Sequence, residues 1–338
     1  MKRLDGQRIL LVAPRFFGYD KDIGGEISRR GAQVDLLPDR PFDTPLMTAL
    51  TRLSPARVLP AADRLYERLL AGFGARHYDT ILVVNGQTLS PVTLRLLRSR
   101  FPTARRVLYM WDSVDNRRGV IDNLRFYDDT FSFDPASARQ YGMRLRPLFF
   151  SSGFERPPAG GFEHHISFVG TAHTDRFAVI DRLRQTLPAG LNAYWYLYLQ
   201  APWVYHAYRL SKAAMRRSKR DDFRFAPLDK ATLQSVFSRS LSVLDIEHPR
   251  QRGLTMRTFE TMGSHKKLIT TNAQVRDYDF YRPENICVID RAAPRVPAGF
   301  FESPFVPVGE ALYRRYSLAG WVDEVLGDTA PAASEQAA

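Results

Sequence analysis

The sequence predicts an α/β protein of two domains, each a parallel sheet covered by helices. Three observations predict it. Short apolar runs of strand length recur along the chain with helical segments between them, the pattern of a parallel sheet buried on both faces. The 338 residues are 44% hydrophobic, enough for two cores of ordinary domain size. Residues 151–164, SSGFERPPAGGFEH, concentrate Ser, Gly and Pro, and strand-like periodicity stops there before ISFVG resumes it.

The first domain is expected over residues 1–152. It opens with a strand at Arg8–Ala13, where RILLVA is apolar after its first residue. Helices follow at Gly25–Arg30 and Ala61–Gly72, then a strand at Thr80–Val84 (TILVV). A helix at Pro91–Arg98 and a strand at Arg106–Met110 (RVLYM) complete it. The second domain is expected over residues 163–305. Its strands are His165–Val169, Leu241–Ile246, Lys267–Thr271 and Ile286–Ile289; its helices are Asp175–Thr186, Lys230–Phe237 and Leu254–Met262. Tyr194–Leu199 reads as a further core strand. From Trp203 an amphipathic helix follows, with Pro202 suited to its first turn. Trp203, Ala207, Leu210 and Ala214 share one face, while Arg209, Lys212, Arg216 and Arg220 lie roughly opposite. That helix either covers the sheet with a solvated basic face or meets an anionic membrane surface. A last helix at Val308–Leu326 carries Leu312, Tyr316, Trp321 and Val325, and caps its own domain or crosses back to the first. The tail, residues 327–338, is small and polar and reads as disordered.

The formal net charge of +12 creates a field that attracts phosphate-rich ligands, nucleic acid or an anionic membrane. No paired Cys/His spacing, RRM-like aromatic motif or basic region leading into heptads accompanies it, so nucleic acid is not the expected partner. The N-terminal apolar run, Ile9–Ala13, is too short for a signal-peptide core or a membrane span. The single cysteine, Cys287, lies in an apolar strand and reads as a buried thiol. Together these point to a cytoplasmic protein, with peripheral contact at the inner membrane face through 203–220.

Ligands of open α/β sheets sit outside the carboxyl ends of the strands, where loops and helix N-termini aim free N–H groups at one crevice. At those places stand Arg15–Asp20, Asn85-Gly86-Gln87, Trp111-Asp112-Ser113, Gly170-Thr171-Ala172-His173-Thr174, Glu247-His248-Pro249, Thr271-Asn272 and Asp290-Arg291. The most informative stretch is HPRQRGLTMRTFETMGSHKKLITTN, residues 248–272. With Gly253 at a helix start, the amides of Leu254, Thr255 and Met256 would face an anion such as a diphosphate. Arg257 adds a cation, and Glu260 can accept from a ribose's hydroxyls; the same two residues also suit an exposed i,i+3 ion pair.

The order strand, polar loop, G-L-T-M-R-x-x-E helix, then K-K-L-I-T-T-N resembles the C-terminal half of group-1 glycosyltransferases, in their CgeB-like and polysaccharide-biosynthesis branches. LYMWDS (108–113), FSFDP (131–135), ISFVGTAHTDR (166–176) and YSLAGWVDEVL (316–326) extend the likeness over most of the chain. The resemblance implies the GT-B architecture, in which two Rossmann-like domains face a central cleft. It also implies a nucleotide-sugar donor held by the second domain, an acceptor-side first domain, and a segment 306–326 returning toward the first. Carried over, Gly170, Thr171 and Arg176 match the glycine-rich turn and its basic residue, and Gly253, Leu254, Thr255 and Arg257 match the diphosphate-facing helix start. Glu260 matches the ribose-binding glutamate. Many retaining members carry another glutamate eight residues earlier, where this chain has Arg252, so the anomeric outcome stays open.

Sugar transfer needs a stabilised diphosphate leaving group and, with inversion, a base for the acceptor hydroxyl. Asp112, after an apolar strand, is the first candidate base, and Asp20 with Asp22 comes second; helix capping or a solvated loop would explain each as well. The triplets Asp20-Lys21-Asp22 and Asp277-Tyr278-Asp279 could suggest a metal, but none is expected, and no cofactor beyond the nucleotide-sugar co-substrate. His173 suits a phosphate contact or a surface turn. The expected function is transfer of a sugar to a saccharide or lipid-linked saccharide in bacterial surface-polysaccharide or lipopolysaccharide synthesis. The alternatives are a nucleotide-sugar epimerase or hydrolase, or a non-catalytic partner protein of similar fold.

Overall fold

The computed structural model describes residues 4–40, 42, 55–155, 161–249 and 251–327. They form two compact units: one reaches Arg146 and includes the stretch from Leu318, the other is Pro147–Ser317.

The first unit contains β1 (Arg8–Ala13), α1 (Tyr19–Arg29), β2 (Gln33–Pro38), α2 (Pro55–Ala71), β3 (Thr80–Val84), α3 (Pro91–Arg100), β4 (Arg105–Met110), β5 (Asp129–Ser132), α4 (Pro135–Tyr141) and β6 (Arg144–Leu145). All six strands are parallel, in the order β2-β1-β3-β4-β5-β6. β3 is buried at every position and β1 at all but its first. Helices on both faces remove any polar side from a central strand, which is why these two read as unbroken apolar runs. α3 starts where Ser90 accepts from the amides of Val92 and Thr93 and Pro91 occupies the first turn. α1 begins at Tyr19, well ahead of the expected Gly25, with left-handed Gly18 as its cap.

The second unit contains β7 (His164–Thr171), α5 (Arg176–Thr186), β8 (Ala193–Tyr198), α6 (Pro202–Ser211), β9 (Phe223–Arg224), α7 (Lys230–Ser238), β10 (Ser240–Asp245), α8 (Met256–Gly263), β11 (Lys267–Thr270), β12 (Ile286–Val288), α9 (Ala298–Glu302) and α10 (Glu310–Arg315). Its parallel sheet runs β12-β11-β10-β7-β8-β9. Read from the other edge this is the doubly wound order 3-2-1-4-5-6, and the direction of winding reverses between β7 and β10.

Three expectations about organisation are corrected. The division falls at Arg146, ahead of the Gly/Pro-rich stretch, because Phe150 bridges Ser317 and its amide donates to Tyr316 O at 3.0 Å, tying 147–155 to the second unit. The single helix expected at Val308–Leu326 is two, α10 and α11 (Leu318–Leu326), separated at Tyr316 and Ser317. Residues 306–317 belong to the second unit and only α11 to the first. There Trp321 is fully buried, its ring 4.8 Å from Tyr109 and edge-on, while Arg30 meets Asp323 at 2.5 Å and Arg146 meets Glu324 at 2.8 Å. The expected tail lies, apart from Gly327, outside the described residues. No helix among the described residues is long and apolar enough to cross a membrane.

Candidate active site

β7 leaves the second sheet at its reversal point through Gly170 and Thr171, and the chain turns into α5 at Asp175. Thr174 takes a left-handed φ of 57° to make that turn. Arg176, the first residue of α5, folds back over the strand ends: Nε donates to Ile246 O at 2.7 Å, beyond β10, and Nη1 to Thr171 O at 3.2 Å. Gly170 makes room for it, since a Cβ there would stand 2.9 Å from the Phe168 ring and 3.4 Å from Arg176 Nη1.

β10 ends at Asp245, a buried carboxylate whose Oδ2 accepts from Thr255 Oγ1 at 2.6 Å and Thr258 Oγ1 at 2.9 Å. These bonds fix where α8 starts. The helix opens at Met256, three residues after the expected Gly253, with Thr255 as N-cap; the Thr255 hydroxyl is spent on Asp245 and does not cap. The first-turn amides therefore belong to Met256 and Arg257. Gly253 and Leu254 are buried in the loop ahead of the helix, so these two and Thr255 do not form the expected anion-facing first turn. Arg257 reaches from that first turn to Val169 O at 3.2 Å and stacks over Phe237. Its Nη1 also holds Glu260 Oε2 at 2.8 Å, and Glu260 is 1% exposed. The pair is thus formed, but it is not the solvated pair that spacing alone would suggest.

A third arginine closes the group. Arg291, after β12, donates through Nη1 to both oxygens of Asp175 at 2.9 Å, and through Nη2 to Glu247 O and Oε1 at 2.6 Å. Thr271 Oγ1 donates to the other oxygen of Glu247 at 2.5 Å. Burial pushes the Arg176 pKa down; Asp245 and Glu247 oppose that, and Arg257 and Arg291 add to it, which places all three cations within one another's field. His173 is driven down to about 4 by burial and by Arg176, His248 and Lys212, so it is neutral at pH 7. The His173 and His248 rings lie 6.3 Å apart. Glu247 and Arg291 stand among the expected crevice residues but were given no donor-binding role, and Asp245, the last residue of β10, was not among them. The available signal was position: each stands at or just past a strand's carboxyl end.

In the first unit Asp112 follows β4 and is about two-fifths exposed, paired with Arg117 Nη2 at 3.1 Å. Its Oδ2 also accepts from Asn85 Nδ2 at 3.2 Å. It does not stand at a helix N-cap: that position of the short turn at Val114–Asn116 is Ser113, whose side chain makes no capping bond. Asp20 and Asp22 sit in the first turn of α1, and Asp20 lines a hollow of about 560 Å³ with Arg15, Phe17 and Lys21. Asp279 of the other acidic triplet accepts from Arg315 at 2.8 Å and the Tyr316 hydroxyl at 2.6 Å. Among the described residues no group of three or more His, Cys, Asp or Glu is placed to hold a metal. Asp39, which the sequence did not mark, is fully buried after β2; Oδ1 accepts from the Gln87 amide at 2.5 Å and Oδ2 has no partner. Burial raises its pKa to about 7, against the lowering effect of Arg40, the Gln87 amide and Arg117.

No protein-family model matches the sequence, and no curated protein matches it. Solved structures do. HepE of Anabaena, in complex with UDP and glucose, matches 95% of this chain and 99% of its own at 14% identity, with a TM-score of 0.59. A glycosyltransferase from Rickettsia africae matches 96% and 99% at 10% identity, with a TM-score of 0.57. S. aureus MnaA, solved with UDP, matches 92% and 91% at 10% identity, with a TM-score of 0.50. At such identities the likeness is one of fold: the chain has the GT-B architecture of two Rossmann-like domains.

Proposed function

We propose that the protein is a glycosyltransferase of the group-1, CgeB-like kind. It would move a sugar from a nucleotide-sugar donor to a saccharide or lipid-linked saccharide during bacterial surface-polysaccharide or lipopolysaccharide assembly. The observation that carries the reading is the convergence of Arg176, Arg257 and Arg291 with the uncapped start of α8, at the point where the second sheet reverses its winding. Free first-turn amides and the helix dipole favour an anion there, and three guanidiniums supply charge-assisted bonds to a diphosphate. These groups would stabilise charge as it develops on the leaving diphosphate. Gly170 and Thr171 let the backbone approach it. Glu260 would hold the ribose hydroxyls once Arg257 exchanges its carboxylate for phosphate. Asp112 would take the proton of the acceptor hydroxyl. No metal is part of the proposal.

Titration calorimetry with UDP-, GDP-, dTDP- and CMP-sugars tests the donor site. Arg257→Ala and Glu260→Ala should each lower affinity for the bound donor at least tenfold, since charged hydrogen bonds contribute about 1.5–3 kcal/mol. Unchanged affinity in both removes the assignment. Asp112→Asn should keep donor affinity and lose transfer by orders of magnitude; near-normal turnover would take Asp112 out of the mechanism.

The location we propose is the cytoplasm, with peripheral contact at the inner membrane face. In α6 it is Val204 and Tyr205 that turn inward, while Trp203 is 71% and Leu210 83% exposed. The apolar stripe therefore does not cover the sheet. Exposed Arg209, Arg216, Arg217, Lys219 and Arg220 lie on or just after the same helix, a combination that suits the interface of an anionic bilayer.

A further inference from the structure

The turn from β7 into α5 is strained, and its brace comes from an element that donor binding does not otherwise use. Thr174 takes a φ of 57° there. A β-branched residue rarely adopts that left-handed conformation, which persists only where the surroundings impose it. Within the turn, Thr174 Oγ1 donates to His173 O at 2.6 Å. Beyond it, Asp175 stands at the N-cap of α5, makes no capping bond and places both carboxylate oxygens on Arg291. Neither contact holds the carbonyl of Thr174 itself. Lys212 does: its Nζ donates to Thr174 O at 3.2 Å.

Lys212 is the C-cap of α6, and its own backbone is fixed on both sides. Its amide donates to Tyr208 O at 2.8 Å, and its carbonyl accepts from the amide of buried Met215 at 3.0 Å. The ammonium stands 3.8 Å from the centre of the Tyr208 ring, an attractive cation–π distance. α6 is seated in turn: buried Tyr205 packs on Phe223, which meets Phe177 of α5, and the Tyr205 hydroxyl donates to Ser218 O at 3.1 Å. Burial lowers the Lys212 pKa; Asp175, whose charge opposes that, is already paired with Arg291. The same ammonium helps to lower the His173 pKa, which places its charge beside the turn. We propose that Lys212 is a positioning residue for the nucleotide: by holding Thr174 O it keeps the 173–175 turn in the form that sets the end of β7 and Arg176 against the diphosphate. This role rests on the donor-site reading above, and it joins α6, with its exposed Trp203 and Leu210, to nucleotide binding.

The test is titration calorimetry of the full chain with UDP and GDP. Lys212→Met keeps the aliphatic stem over Tyr208 and removes the donor. It should weaken the nucleotide that the wild type binds by roughly fivefold or more, the weight of one strained backbone residue. Thr174→Gly added to Lys212→Met is the deciding variant, because glycine adopts a φ near 57° without steric cost. It should recover most of the lost affinity, since the turn then needs no brace. Loss of a direct phosphate contact by Lys212, or a general loss of stability, would not be repaired in this way. Unchanged affinity in Lys212→Met, or a loss that Thr174→Gly leaves in place, overturns the positioning role while the donor site stands. A wild type that binds neither nucleotide ends the donor-site reading and this role with it.

Discussion

Asp39 shows what a single buried carboxyl does to the pH response of its unit. Its folded pKa is raised from 3.8 to about 7 by burial, so between those values the folded state keeps a proton that the unfolded state releases. Stability must then fall as pH rises from about 4 to about 7, by at most roughly 1.4 kcal/mol per unit for one group. His173 acts with the opposite sign. Its pKa is lowered from 6.5 to about 4, so its contribution is present above 6.5 and lost as pH falls toward 4. Asp39→Asn isolates the first effect, because it leaves His173 in place. In urea denaturation at pH 5 and pH 8, the variant should gain stability relative to wild type at pH 8; an equal difference at both values would mean Asp39 is ionised throughout. Neither shift is legible in sequence. PDRPF and TAHTD give no sign of how deeply the side chains lie, whereas Arg257 was legible from its place near a helix start and Arg176 only through the family resemblance.

At the scale of elements, α8 depends on a bond that crosses from strand to helix. Asp245 accepts two threonine hydroxyls, and Thr258 is itself buried. Asp245→Ala would leave those donors without an acceptor and should lower stability by about 1–3 kcal/mol. Loss of less than a few tenths in chemical denaturation would show that the helix start is fixed by packing of Leu254 alone. The same element explains what the sequence concealed. The G-L-T-M-R run suggests a start at Gly253, but Leu254 turns into the core and delays the helix to Met256. Central strands such as RILLVA and TILVV were readable because both faces are covered. β2, β5, β6 and β9 were missed, since they are short or carry polar residues such as Asp35, Asp129 and Arg144 near or at a sheet edge, where one side meets water.

For the molecule as a whole, the net charge of +12 and the exposed stripe of α6 predict a salt-dependent affinity for anionic bilayers. The protein should sediment with phosphatidylglycerol vesicles and not with phosphatidylcholine ones, and Trp203→Ser with Leu210→Ser should abolish this; equal binding to both lipids, or an unaffected double variant, contradicts it. We propose that the second sheet's carboxyl end grips a nucleotide diphosphate. Hydrogen exchange of the full chain with and without UDP and GDP tests it most directly. Slowed exchange is expected at 170–176 and 256–260 with at least one of the two nucleotides. Unaltered exchange in both stretches, or protection confined to other parts of the chain, would contradict it.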